Sequence, residues 1–255
     1  MKKGICLLLM FSVLLTLCSC EKQDQQTETL DYLTVDFTEQ YQEEAMDGGS
    51  KVSVQWQQLN LSEEDAKNYP NLKKALDTYN ENMSLYADEN MMGLRESALS
   101  MIPYREHPIT LYLNTGVYLQ RADSRILSFL EQNDIYSGGM HPNHYYNTYN
   151  FDSVTGEEIL LTDVITDMDI LPELLSEKLI ENYPDVVFFE EELPEYFAEY
   201  EPTDYRWTLD YQGLTVWFSP YEVASYADGF LNVKLYFEEE PELFKETYKN
   251  SLAEN

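Results

Sequence analysis

Apolar positions along this chain follow two periods. From Lys51 to Leu61 they alternate, with Val52, Val54, Trp56 and in part Gln58 on one face, which predicts a half-buried strand. Leu30 to Phe37 alternates more weakly and reads as another strand, and Asp47-Gly48-Gly49-Ser50 is a turn signal between the two. From Pro70 the period changes. Leu72, Ala75, Leu76, Tyr79, Met83 and Tyr86 recur at three- and four-residue steps, the apolar stripe of a helix that runs to around Ala98 with a weak point at Gly93. Proline in the first turn is tolerated because its missing N–H would have no partner within the helix. Ile109 to Gln120 and Arg125 to Tyr136 predict an antiparallel hairpin linked by residues 121–124. Tyr145 to Asp152 predicts an aromatic strand, turned by residues 153–156 into a further strand at Glu157 to Leu161, with Asp163 capping a short turn. A second helix is expected over Ile170 to Tyr183, with Leu171, Leu174, Leu175 and Leu179 inward. Glu190 to Glu201, acidic and bounded by prolines, reads as an exposed connection. Arg206 to Asp210, Leu214 to Ser219 and Leu231 to Phe237 predict closing strands. Helices and strands mix without regular βαβ alternation, so the expected fold class is α+β, helices packed on largely antiparallel sheets.

The N-terminus has a different pattern. Lys2 and Lys3 precede an almost wholly apolar run from Gly4 to Leu17, which falls short of the roughly 20 residues a spanning helix needs. It ends in Leu17-Cys18-Ser19-Cys20. This is the layout of a secretory signal over residues 1–19, and its end resembles a lipobox, which implies a lipid on Cys20 and an extracytoplasmic, membrane-anchored chain. An ordinary leader cut near Ser19, without lipid, is the alternative. Residues 20–30 are polar and read as a flexible tether.

Removal of the leader changes two counts. Cys6 and Cys18 leave, so Cys20 is the one cysteine remaining, and a disulfide, a cysteine-built zinc site and a cysteine nucleophile are excluded after processing. Lys2 and Lys3 also leave, so the 16 basic residues become 14 against 47 acidic ones, and the net charge moves from −31 to −33. Such a chain repels nucleic acid, and no nucleic-acid partner is expected; a cationic partner is attracted, in a salt-dependent way. The same charge also serves plain solubility. With 21 Tyr, 11 Phe and 3 Trp the chain has ample material for a core.

Signatures of familiar enzymes are absent: no G-x-S-x-G, no H-E-x-x-H, no P-loop and no dinucleotide-binding glycine motif occurs. His141 and His144 lie three apart, but Pro142 and neighbouring glycines make a loop there and no third ligand is evident, so no metal site and no cofactor are expected. Glu43-Glu44, Glu63-Glu64, Glu190-Glu191-Glu192 and Glu238-Glu239-Glu240 supply carboxylate pairs, which glycoside hydrolysis uses. Among 47 acidic residues such pairs arise by chance and read as solvated faces.

One stretch is more distinctive. Ser137-Gly-Gly-Met-His-Pro-Asn-His, Tyr149-Asn150-Phe151-Asp152, Thr155-Gly156-Glu157 and Leu161-Thr162-Asp163-Val164, followed by Gly213-Leu-Thr-Val-Trp-Phe, Ser219-Pro-Tyr-Glu-Val-Ala and Tyr226-Ala-Asp-Gly229, resemble the extracellular domain of RsiV-type anti-sigma factors. The same domain pair stands beside the catalytic module of PdaC-type peptidoglycan deacetylases. The resemblance implies an N-terminal PdaC-like region over 31–136 and a C-terminal RsiV-like region over 137–245. Most of these residues also make sense as structure, with Tyr149 and Phe151 on one strand face and Asn150 and Asp152 on the other. In RsiV-like proteins the domain binds lysozyme, a cationic wall-degrading enzyme. No second membrane segment and no deacetylase module are read here, so neither direct sigma-factor control nor deacetylation is expected. The expectation is a lipid-anchored, non-catalytic binding domain for a lysozyme-like cationic protein or a peptidoglycan glycan. Candidate contacts are Met140, His141, Asn143, His144, Tyr145, Tyr196, Tyr200 and Tyr205. A wall-glycan enzyme acting through an unrecognised carboxylate pair, or a structural envelope protein with no soluble ligand, are the alternatives.

Overall fold

The computed structural model describes residues 30–189 and 193–249. The expected leader, Cys20, nearly all of the tether and Glu190-Glu191-Glu192 lie outside them. Two sheets form. The larger has five strands in the order β1 (Val35–Ala45), β2 (Lys51–Leu61), β3 (Thr110–Ala122), β4 (Ile126–Tyr136) and β5 (Asn143–Asp152). All neighbours are antiparallel except β2 and β3, which run parallel. Parallel neighbours need a crossover, and the helices α1 (Glu63–Asn68) and α2 (Pro70–Met101) supply it. The smaller sheet is antiparallel, in the order β6 (Trp207–Leu209), β7 (Gly213–Phe218) and β8 (Leu231–Tyr236). Among the described residues three further α-helices follow: α3 (Leu161–Val164), α4 (Leu171–Asn182) and α5 (Leu193–Ala198). The fold is α+β.

The α2 stripe is longer than its sequence pattern indicates. Leu72, Leu76, Tyr79, Met83, Ala87, Leu94 and Ala98 are buried, and the helix passes through Gly93 without a break. Gly93 is exposed and costs the helix only about 1 kcal/mol. The stripe packs on the face of the large sheet formed by Val52, Val54, Leu111, Leu113 and Phe129. Each fully buried Leu contributes roughly 1.5–3 kcal/mol of transfer free energy.

Past Gln55 and Asn114 the β2–β3 ladder ends. Side-chain amides replace it. The Asn80 amide on α2 accepts from Leu59 N–H at 2.9 Å and donates to Leu59 C=O at 2.8 Å, while Gln57 Oε1 accepts from Val117 N–H at 2.7 Å. Under α2, the buried Glu131 carboxylate receives the Tyr79 hydroxyl at 2.8 Å and the amides of Asn133 and Asn147 at 2.9 and 2.8 Å. Burial, with Glu131 beside it, holds the Tyr79 hydroxyl far above its ordinary range.

The small sheet meets the other face of the large one edge-on. The free edge of β6 is satisfied by side chains of β4 and β5: Leu209 N–H donates to Ser128 Oγ (2.9 Å), Trp207 N–H to Thr148 Oγ1 (3.1 Å), and Asn150 Nδ2 donates to Trp207 C=O (2.8 Å). Ser128 hydroxyl donates in turn to Asn150 Oδ1 at 2.7 Å. Behind it a second core joins β6–β8 to α3, α4 and α5 through Leu171, Leu175, Leu179, Phe197, Phe218 and Val233.

Several local expectations change. The first strand starts at Val35 and runs to Ala45, and Tyr32 makes only a bridge to Asp123. Its polar sequence is held because every residue from Val35 to Ala45 has a partner on β2. Glu157 to Leu161 is not a strand: Glu158 bridges Phe151, and α3 then begins, because Ile159 and Leu161 turn into the second core. Residues 193–198 form α5 instead of an exposed connection, with Leu193 and Phe197 one turn apart and buried. Arg121 near the end of β3 and Asp123 in the link that follows are buried as an ion pair at 2.6 Å, and Asp123 Oδ1 also accepts the N–H of Arg125 and Ile126. Residues 137–142 connect β4 to β5, which pair antiparallel in the large sheet.

Candidate functional site

A cleft of about 1130 Å³ opens along β5. Its opposite wall is built from residues 200–207 and from the Ser219–Glu222 turn. That turn is fixed from both ends. Glu222 Oε2 accepts Ser219 N–H at 2.9 Å, Glu222 N–H donates to Ser219 C=O at 3.1 Å, and Ser219 Oγ accepts Tyr146 N–H at 3.1 Å, which pins the turn to β5. Within it Tyr221 adopts φ 70° and is the non-glycine residue with positive φ among the described residues. A bulky side chain in the left-handed region carries strain, and such strain concentrates at functional positions. Tyr221 is exposed on the cleft rim, 5.4 Å from the Tyr226 ring.

The other wall depends on α5. Its Tyr196 hydroxyl donates to Glu222 C=O at 3.2 Å, Tyr200 hydroxyl donates to Tyr196 hydroxyl at 3.0 Å, and Tyr205 hydroxyl donates to Phe197 C=O at 3.0 Å. Arg206 Nη1 pairs with Glu222 Oε1 at 2.9 Å. Burial pushes the Glu222 carboxyl up, against the lowering pull of Arg206. Burial and the Asp204 charge push the Tyr205 hydroxyl up to about 12, and burial with the Tyr196 contact raises Tyr200 further. Glu158, Glu201, Asp204 and Glu222 line the cleft, and Arg206 is the cation among its lining residues.

Of the residues singled out from sequence, His144, Tyr145, Tyr200 and Tyr205 come together in this cleft. The other four do not line it. Tyr196 stands behind the wall, holding the backbone of Glu222. Met140 is fully exposed at the tip of the β4–β5 turn, and Asn143 is exposed at the start of β5. His141 stacks on Tyr226 with ring centroids 4.0 Å apart, and its Nδ1 lies 2.8 Å from Pro142 C=O. His144 Nδ1 sits 3.3 Å from Asp134 Oδ1, but the two atoms are out of line for a hydrogen bond. Tyr145 hydroxyl bonds to Tyr86 hydroxyl on α2, and burial together with that bond raises its ionisation well above the ordinary value. Among the described residues no three His, Cys, Asp or Glu stand together as a metal site.

Sequence reasoning passed over Glu158, Arg206, Tyr221 and Glu222 as contacts. The Ser219-Pro-Tyr-Glu block stood out as part of the resemblance, but nothing marked its glutamate or tyrosine as a contact among so many others.

Fold and cleft define an α+β domain with an acidic, tyrosine-lined groove at a sheet edge. Residues 160–238 match the family model described as a protein of unknown function, DUF3298, so the chain carries a DUF3298 domain. Two solved structures are similar. One is a DUF3298 family member from Bacteroides fragilis, with a TM-score of 0.62 and 17% identity over 84% of this chain and 94% of that one. The other is a DUF3298 family protein from Pseudomonas aeruginosa, with a TM-score of 0.57 and 14% identity over 87% of this chain and 98% of that one. At such identities the likeness concerns the fold alone. No curated protein matches the chain in sequence. Among the described residues no helix is long and apolar enough to cross a membrane.

Proposed function

We propose that this protein is a non-catalytic, extracytoplasmic binding domain whose β5 cleft takes a cationic protein ligand, with a lysozyme-like enzyme as the first candidate. The observation that carries the proposal is the cleft's composition: the carboxylates of Glu158, Glu201 and Asp204, one arginine already paired with Glu222, and the rings of Tyr200, Tyr205 and Tyr221. Carboxylates steer and select a basic partner, and rigid tyrosines supply interface anchors. The net charge of −31 extends the same attraction over the whole surface. The resemblance to the RsiV ectodomain points to the same class of ligand. Anchoring through a lipid on Cys20 rests on the Gly4 to Cys20 pattern and belongs to the proposal.

Glu222 favours binding over catalysis. A carboxyl raised by burial in a cleft has the profile of a general acid. Here both oxygens are engaged, Oε1 by Arg206 and Oε2 by Ser219 N–H, so the group holds the wall. The test is a calorimetric titration of the chain from residue 30 onward with hen lysozyme at low and high salt. Binding at low salt that weakens steeply as salt rises is expected, and no binding at low salt refutes the lysozyme candidate. Release of reducing sugars from purified peptidoglycan, lost in Glu222→Gln, would replace the binding role by an enzymatic one.

A further inference from the structure

The cleft meets β5 in an informative way. Successive residues of a strand point to opposite faces of the sheet. Yet one cleft touches His144, Tyr145, Asn147, Thr148, Tyr149 and Asn150. A cavity can touch both sets only where it wraps the strand's edge, and β5 is the last strand of its sheet.

The direction of the edge groups follows from the bonds at its two ends. Tyr146 N–H reaches Ser219 Oγ, Asn150 C=O accepts Ile159 N–H, and Asp152 N–H donates to Glu157 C=O. The even-numbered residues of β5 therefore turn their backbone groups away from β4. Between the two brackets lie Tyr146 C=O, Thr148 N–H, Thr148 C=O and Asn150 N–H, which have no hydrogen-bond partner among the described residues. Unpaired edge groups are a template for another strand.

We propose that β5 binds its ligand by strand addition: an extended segment of a cationic protein pairs with the edge at Tyr146–Asn150. The proposal rests on the binding role assigned to the cleft above and specifies how the partner is held. Ser219 and Ile159 close the two ends of the edge, so the added segment is short. Three residues in parallel register meet all four open groups, because in a parallel pair one residue bonds the neighbours on both sides of its opposite number. The first and third of the three then point with Asn147 and Tyr149 toward α2. There a pocket of about 520 Å³ shares Thr148, Tyr149 and Glu158 with the cleft; Ala75, Tyr79, Met83 and Phe151 give it an apolar side, and Lys74, Thr78 and Asn82 a polar one. The middle residue points with Thr148 toward β6, on the side of Asp204. The matching segment is apolar–basic–apolar. Backbone bonds supply affinity and the alternating pockets supply selectivity, as in other strand-addition complexes.

The probe is acetyl-Gly-Val-Arg-Val-Gly-amide, added to the 15N-labelled chain from residue 30 onward and followed by backbone NMR. The proposal expects the Thr148 and Asn150 amides to shift and to exchange with solvent at least tenfold more slowly. N-methylation of either valine, which leaves the protein untouched, should weaken binding at least tenfold, and Glu in place of Arg should abolish it. Thr148→Pro deletes one edge donor, and with it the Oγ1 that accepts Trp207 N–H; with its fold confirmed by the amide spectrum, it should weaken the same peptide. If lysozyme binds in a salt-dependent way while the peptide leaves both amides unchanged, strand addition is overturned and the cleft keeps its role. If neither binds, both are overturned. Shifts of the same amides by chitotriose with the peptide silent would overturn strand addition in favour of a glycan groove. Equal binding of the N-methylated and parent peptides would also overturn it.

Discussion

The joint between the two sheets should depend on Asn150 more than on any comparable surface amide. Asn150 is 4% exposed, and its side chain makes two bonds: Nδ2 to Trp207 C=O at 2.8 Å and Oδ1 from the Ser128 hydroxyl at 2.7 Å. Asn150→Ala leaves the Trp207 carbonyl without a donor, which costs about 1–3 kcal/mol for a buried polar group. It also removes the acceptor of the Ser128 hydroxyl, worth about 1 kcal/mol net. The expected loss is therefore about 2–4 kcal/mol, a large part of the roughly 5–15 kcal/mol that holds a typical domain together. Ser128→Ala should cost a similar amount, because Ser128 Oγ is also the acceptor for Leu209 N–H at 2.9 Å. The two side chains share one hydrogen-bond chain, so the double variant should cost less than the sum by at least about 0.5 kcal/mol. Urea unfolding followed by tryptophan fluorescence measures this, since Trp207 and Trp217 both lie in the small sheet. A loss below about 1 kcal/mol for Asn150→Ala, or strict additivity, would refute the edge-on joint.

Three further outcomes follow from the same geometry. Gly156 has φ 69°, and a Cβ there would run into the backbone of Asn71 at the start of α2; Gly156→Ala should lose well over 1 kcal/mol and several degrees in melting temperature, and a near-neutral result would mean that this turn does not touch the helix. Tyr221→Gly should relieve left-handed strain of about 1–2 kcal/mol, less about 0.5–1 kcal/mol for the freedom of glycine, so stability should hold or rise slightly while lysozyme binding falls several-fold; clear destabilisation would show that the ring holds the turn. Burial sets the hydroxyls of Tyr146 and Tyr205 at about 12 in the folded chain against an ordinary 10.0. Both stay protonated when folded while the unfolded chain ionises, so their contribution is complete below pH 10 and is lost as pH rises from 10 to 12. Urea midpoints should fall over that window, less steeply in Tyr205→Phe, and a flat profile would contradict their burial.

Much of the framework was legible in the chain itself. Val52, Val54 and Trp56 alternate because one face of β2 is dry, and Leu72, Leu76, Tyr79 and Met83 recur because one side of α2 is. The turns at Asp47–Ser50 and Thr155-Gly156 are marked by residues that tolerate positive φ. The acidic excess, and with it the kind of partner that would be attracted, is also a property of the sequence alone. Elements held by distant partners were not legible. The polar run of β1 is a strand because β2 lies beside it, and α5 is a helix because Leu193 and Phe197 find the second core. Nor did the sequence distinguish Asn150, which stitches two sheets, from Asn143, which faces solvent. The candidate site was half visible: the tyrosines and His144 were there to be named, but Glu222, Arg206 and the strained Tyr221 stand out only once the Ser219–Glu222 turn is pinned to β5. The edge of β5 was not visible at all. Side chains differ from residue to residue, so a pattern of wet and dry faces is written in the sequence. Every residue other than proline carries the same backbone donor and acceptor, so which of them remain unpaired is decided only when the strands have taken their places.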